Sequence, residues 1–333
     1  MNFFSKFKKN RRGYFSFIIL IFLFFISLFA EFIANDKPLL VRFNGDYYFP
    51  IISDILEKDV GGEFESLADF RDPFLQKKIE ENGFIIFPPI PFYYDTINYN
   101  LKTPAPSKPS LENYLGCDDQ GRDALSRIIY GIRISLIFGF ILAFFSAIIG
   151  VFLGAIQGYF GGLIDLFLQR FIEVWSSMPV LFLLVILSAI IEPNFIALLF
   201  LLLLFSWMGL VAYVRAEFLR LRNFDFVRAS KALGASDFRI IWRHILPNAA
   251  PVIIANLPFL IAGAITTLAS LDFLGLGLAV GSPSLGELLA QGKNNINAYW
   301  LGISGFVVVT LILTLLVFIG EALRDAFDSR KNN

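Results

Sequence analysis

Six separate runs of about 20 apolar residues constrain this chain more than any other feature, since each matches the roughly 30 Å of hydrocarbon in a bilayer. In lipid a backbone must satisfy its own hydrogen bonds, so such a run folds as a helix. The first candidate covers residues 14–34 and is interrupted only by Ser16, Ser27 and Glu31. The later ones cover residues 134–156, 167–191, 195–214, 250–271 and 300–320. A 56% hydrophobic composition and a mean hydropathy of +0.66 agree, lying beyond the range of soluble domains. The expected fold is an all-helical polytopic membrane protein with six transmembrane helices.

Charge placement orients the helices. Lys6, Lys8, Lys9, Arg11 and Arg12 precede the first span. A signal peptide can begin this way, but Ile33, Ala34 and Asn35 make a poor cleavage site and five spans follow, so a retained anchor is expected. Residues 215–243 carry Arg215, Arg220, Arg222, Arg228, Lys231, Arg239 and Arg243, and the tail adds Arg324, Arg330 and Lys331. The alternate loops offer only Glu192 in one case, and Asp272, Glu287 and Lys293 in the other. The positive-inside rule then places both termini in the cytoplasm of a multi-pass inner-membrane protein. The 28 basic and 28 acidic side chains cancel, yet residues 35–130 hold 10 basic against 16 acidic. A nucleic-acid binder would not divide its charge in this way.

Five regions follow: a basic N-terminus (1–13), the first helix (14–34), an extracytoplasmic insertion (35–132), a five-helix core (133–322) and a tail (323–333). The insertion mixes aromatic groups with two proline clusters, Pro88, Pro89 and Pro91, then Pro104, Pro106 and Pro109. That mixture suits an ordered small domain better than a disordered linker; a partner-binding surface and a structural cap both stay open. In the second span Ser146, Gly150, Gly154 and Gly158 recur every four residues, with Gly139, Ala143 and Ala147 on a second row. Such rows let helix backbones approach closely, within a bundle or between subunits.

Residues 224–247 read as two short helices joined by a bend. Asp225 is the expected cap of the first, Gly234 its left-handed terminator, and Ser236 the cap of a second that stops before Pro247. A rigid, basic, partly apolar helix pair suits docking into a groove of another protein, and an amphipathic loop resting on headgroups is the plainer alternative.

This segment resembles the coupling motif of permease subunits in ABC importers, E-A-A-x3-G-x9-I-x-L-P. Arg228, Ala229 and Ser230 stand at the E-A-A positions, followed by Gly234 and by His244, Ile245, Leu246 and Pro247. Arg228, Ser230 and His244 depart from the pattern, while the glycine-to-proline spacing is kept. Residues 115–135 (LGCDDQGRDALSRIIYGIRIS), 270–277 (SLDFLGLG) and 320–328 (GEALRDAFD) are similar to segments of the C-type permeases of oligopeptide and dipeptide systems. Residues 35–42, 170–175, 215–220 and 281–289 look like the Yej-type subfamily, associated with uptake of peptides and of microcin C. The resemblance implies a type I importer fold. It implies a homologous second permease, one or two ABC ATPase subunits, an extracytoplasmic solute-binding protein and a peptide substrate. ATP and magnesium would sit on the ATPase, with no cofactor on this chain. ATPase coupling would fall to Asp225, Arg228, Ala229, Ser230, Gly234, Ala235, Ser236, Asp237, His244, Leu246 and Pro247, within a segment spanning residues 215–248.

Catalytic chemistry finds little material here. Cys117 is the only cysteine and His244 the only histidine, which removes multi-cysteine metal clusters and most histidine-based triads. Residues 286–294 imitate a phosphate-binding loop, but five residues separate the glycines and Asn294 replaces the magnesium-holding hydroxyl. No catalytic residue and no metal ligand is expected, so the chain is not an enzyme. Candidates for the substrate path are Arg170, Glu173, Thr266, Thr267, Ser270 and Asp272, although Arg170 and Glu173 are spaced to pair with each other. Pro251 and Pro258 are expected to kink the fifth span. An autonomous secondary transporter or channel, and a polytopic membrane enzyme, are the alternative readings.

Overall fold

A computed structural model describes residues 3–188, 190, 194–279 and 281–327. Glu192, Asp328, Arg330 and Lys331 lie outside the described residues. The chain runs α1 (Phe3–Lys9), α2 (Arg11–Leu28), α3 (Ala30–Ile33), β1 (Leu40–Phe43), β2 (Asp46–Tyr48), α4 (Pro73–Asn82) and β3 (Gly83–Ile86). There follow α5 (Ala124–Phe160), α6 (Gly162–Ser176), α7 (Val180–Ser188), α8 (Phe195–Ser206), α9 (Met208–Leu221), α10 (Asp225–Ala232) and α11 (Asp237–Arg239). The last are α12 (Leu246–Phe273), α13 (Leu285–Asn294) and α14 (Tyr299–Phe327). Among the described residues five helices are long and apolar enough to cross a membrane, or six if the bent pair α6–α7 is one span.

Two expectations about helix continuity fail. The third span is not one helix: α6 and α7 meet at 57°. Pro179 opens the second half, and the hydroxyls of Ser176 and Ser177 both bond the Glu173 carbonyl. A proline disfavours helix in the residue before it, and serine hydroxyls offer the backbone an alternative partner. Conversely, the chain does not stop before Pro247. Ile240–Ile245 winds as a π-turn, in which the Leu246 amide reaches back to the Ile241 carbonyl, and α12 continues from it. Pro247 sits in the first turn of α12, where its missing N–H costs nothing, and the widened turn absorbs its ring. Pro251 and Pro258 lie inside the same continuous helix.

The chain forms two compact units. One comprises Met1–Phe22, Ser135–Ala279 and Val309–Asn333. Here the glycine row of α5 meets α9 within this same chain. A Cβ on Gly154 would stand 2.7 Å from Val214 Cβ, and one on Gly158 would stand 2.6 Å from the Arg215 carbonyl oxygen. Ser146 completes the row by sharing a hydrogen bond with Ser206. The second row is used as well, since a Cβ on Gly139 would press on Ile265 of α12 at 2.9 Å. The buried face of α9, Leu210, Val214, Phe218 and Leu221, joins Ile240, Ile241 and Ile245 in one cluster. Phe144, Ile148 and Phe152 remain exposed on α5, as a lipid-facing surface requires.

The other unit comprises Leu23–Ile134 and Val280–Val308. The insertion is ordered and builds an antiparallel sheet in the order β2-β1-β3, pairing Val41 with both Tyr48 and Ile85. Asn44 (φ +50°) and Gly45 (φ +98°) turn the β1–β2 hairpin, since a two-residue turn of this hand needs both residues left-handed. Asp72 caps α4 by accepting from the Phe74 amide, with Pro73 at the first helical position. Val41, Ile55, Val60, Leu75 and Ile79 form the core beneath. Residues 286–294 fold as helix, capped by Ser284, where a phosphate-binding site would need an open loop.

Candidate functional site

The segment from α10 through the π-turn separates into a buried and an exposed side. The turn after α10 closes as a Schellman motif: the Ala235 amide bonds the Ser230 carbonyl and the Gly234 amide bonds that of Lys231. Gly234 takes φ +81°, a conformation that any Cβ would strain. Asp225 does not cap α10. Phe224 holds the cap position, no side chain bonds the helix end, and Asp225 is the first helical residue, where its charge still favours the helix dipole. Ser236 caps α11 by accepting from the Arg239 amide at 3.4 Å. Val227, Ile240, Ile241 and Ile245 point inward, with Ala235 and Leu246 packed against them. Asp225, Arg228, Ala229, Gly234, Ser236, Asp237 and Pro247 are exposed, while Ser230 and His244 are half-buried. Two apolar side chains also face outward without cover: Leu233 is 88% and Phe238 73% exposed.

The path candidates fall into two sets on separate helices. Arg170 and Glu173 pair with each other on α6 at 2.5 Å in an exposed position. On α12 the hydroxyls of Thr266, Thr267 and Ser270 each bond the carbonyl four residues back. Thr267 borders a cavity of about 490 Å³ together with Ser146, Ser206 and Gly263. Asp272 accepts from the Leu278 amide at 2.7 Å, which fixes the turn after α12.

The pairings of several polar groups escaped the sequence reading. Arg215 is a helical residue that grips Asp165 of α6 through two bonds of 2.6 Å. Arg222 bonds the carbonyls of Gly158 and Tyr159, and the Tyr159 hydroxyl donates to Asp237. In the second unit a buried ion network surrounds the start of α5. Arg122 holds Asp118 at 2.7 Å and Glu287 at 3.1 Å, and Arg127 holds Glu287 at 2.8 Å. Arg127 also donates to the carbonyls of Tyr94, Gly281 and Ser282, which ties α13 to the insertion. Burial raises the Asp123 carboxyl, partly offset by bonds from Asn113 and Ser126. The charges of this network were visible in sequence, but partners 160 and 165 residues apart carry no local signal.

Comparison with known proteins fits this architecture. Residues 146–333 match the model of the family described as "Binding-protein-dependent transport system inner membrane component". Residues 2–48 match "N-terminal TM domain of oligopeptide transport permease C". The chain is 55% identical to the inner membrane ABC transporter permease protein YejE of Escherichia coli, over 98% of this chain and 96% of that protein. It is 51% identical to the peptidoglycan transport system permease protein YejE of Agrobacterium fabrum, over 98% and 92%. It is 38% identical to the dipeptide permease DppC of Haemophilus influenzae, over 65% and 74%. Among solved structures, an inward-facing MetNI methionine ABC transporter chain matches with a TM-score of 0.51 at 18% identity. That match covers 61% of this chain and 98% of the other, and it concerns the fold alone. The chain therefore belongs to the family of binding-protein-dependent ABC transporter permeases, with the type I importer fold, and is a membrane transport component and not an enzyme.

Proposed function

We propose that the chain is one of two homologous membrane subunits of an ATP-driven peptide importer, and that residues 225–247 couple it to a separate ABC ATPase. The observation that carries the coupling role is the exposed pair Leu233 and Phe238, held on a rigid bend whose other side is packed into the membrane helices. Large apolar groups presented this way fit a hydrophobic groove on a partner. ATP and magnesium belong to that ATPase. An extracytoplasmic solute-binding protein delivers the cargo to the face bearing the insertion, and both termini lie in the cytoplasm. The relatives' names divide among peptide, dipeptide, oligopeptide and peptidoglycan transport, which supports a peptide-containing cargo. The Yej-type resemblance adds microcin C.

The test is affinity purification of the chain from its native membrane with mass spectrometry of its companions. A second permease and an ATPase should co-purify, and Gly234→Val should release the ATPase while leaving the chain in the membrane. A chain that purifies alone, and that transports in vesicles without ATP, would replace this reading with an autonomous transporter.

A further inference from the structure

The segment that carries the exposed apolar pair is fastened at both ends to one place. Before α10, Arg222 Nη1 donates to the carbonyls of Gly158 at 3.3 Å and Tyr159 at 3.2 Å, in the last turn of α5. Carbonyls there have no partner within the helix, and a cation also meets the negative end of the helix dipole. Gly161 makes the seat: its φ is +64°, and a Cβ on it would stand 2.4 Å from Arg222 Nη1. After the bend, the Tyr159 hydroxyl donates to Asp237 Oδ1 at 2.5 Å. Asp237 is the first residue of α11, directly after the Ser236 cap. Residues 223–236 are thus a loop closed at both ends on the final turn of α5. Packing follows the same route, because Val227 and Ala155 share a buried cluster with Tyr159 and Ala235 against it.

We infer that Tyr159 and Arg222 are positioning residues that turn displacement of the bend into movement of α5; this rests on residues 225–247 being the ATPase-docking segment. A loop held at one end would swing without moving the helix. Held at both, a push on its exposed face is delivered to the end of α5. That helix is continuous over 37 residues, about 55 Å at 1.5 Å per residue, and so acts as a stiff lever. Its glycine row lies close against α9, which passes the same displacement to a second span.

The test uses the complete transporter in vesicles, with uptake of radiolabelled trialanine and ATP hydrolysis measured on the same preparation. Tyr159→Phe removes only the hydroxyl. The ATPase should still co-purify and the melting temperature should hold, while peptide moved per ATP falls at least fivefold. Arg222→Gln should move the same ratio in the same direction. Adding Tyr159→Phe to Asp237→Asn should lower it no further than Asp237→Asn alone. An unchanged ratio in Tyr159→Phe overturns the inference, whether or not the melting temperature falls, and leaves the docking reading standing. Leu233→Asp separates the two, since a complex that keeps its ATPase despite that charge overturns the docking reading and this inference with it.

Discussion

The chemistry of Cys117 is set by burial. The thiol is fully enclosed, its amide bonds the Ser107 carbonyl at 3.0 Å, and burial pushes its pKa up to about 11. A hydrogen bond with Ser107 pulls it down and the Asp123 charge pushes it further up, both smaller effects. At pH 7 the thiolate fraction is then on the order of one in ten thousand, and thiolate is the reactive form. A maleimide should therefore leave the folded protein unmodified at pH 7 and add one equivalent after denaturation; stoichiometric labelling of folded protein would contradict this enclosure. A lone cysteine is most simply read from sequence as a small packed or partly exposed thiol, even with Asp118 and Asp119 directly after it. Arg122, Arg127 and Glu287 were not readable in the same way. Arg122 lies four residues from Asp118, a pair within local reach, but the pairings of Arg122 and Arg127 with Glu287 cross more than 150 residues. Removing one member of such a buried network costs about 3–5 kcal/mol, because the partner is left charged and dry.

At the scale of elements, hydropathy marked every span, since about 20 apolar residues admit one structure in lipid. It could not show continuity. The bend between α6 and α7 depends on Pro179 with Ser176 and Ser177, whereas Pro247, Pro251 and Pro258 sit in uninterrupted winding. What differs is the surroundings: a π-turn receives Pro247, and no comparable widening precedes Pro179 among the described residues. The small-residue row was legible as close packing, and the structure supplies its partner, α9. Replacing Gly154 with Leu would drive a side chain into Val214 and into the Val211 carbonyl, at 2.7 and 2.9 Å from the first added carbon. Overpacking of this kind costs about 1–3 kcal/mol and more where backbone must shift. Gly263 is the control, because a Cβ there meets no atom within 4 Å. In detergent, Gly154→Leu should melt well below the wild type and Gly263→Ala should melt with it. Equal melting of all three would mean that α5 and α9 do not touch along this row.

For the whole molecule, the first part of the insertion, residues 36–89, is a loop closed by how its chain enters and leaves. The Asn35 amide bonds the Ile90 carbonyl at 3.1 Å, and the Ile90 amide bonds that of Ile33 at 3.0 Å. Entry and exit are therefore held side by side, and the Tyr130 hydroxyl secures the Ala34 carbonyl from α5 at 2.9 Å. Between these points the sheet and α4 enclose their own core of Val41, Ile55, Val60, Phe70, Leu75 and Ile79. None of those residues belongs to the clusters that hold the spans together. Sequence composition announced an ordered insertion but could not give the strands, since four-residue strands such as β1 and β3 are defined by pairing and not by their own periodicity. The consequence is a separable module. Excising residues 39–86 and joining the ends with a short Gly/Ser linker should leave a chain that inserts and keeps the ATPase of the proposed importer, since the Ile33–Ile90 pairing survives the cut. The losses to the remaining structure are the cation–π contact of Arg71 over Phe92, about 1 kcal/mol, the exposed Lys37–Asp54 ion pair and the packing of Phe87 on the excised core. Uptake and binding-protein recruitment measured on that variant decide what the module does. Normal assembly with failed recruitment would make it a partner-binding surface, and normal uptake would make it a cap; failed membrane assembly would show that the spans depend on it after all.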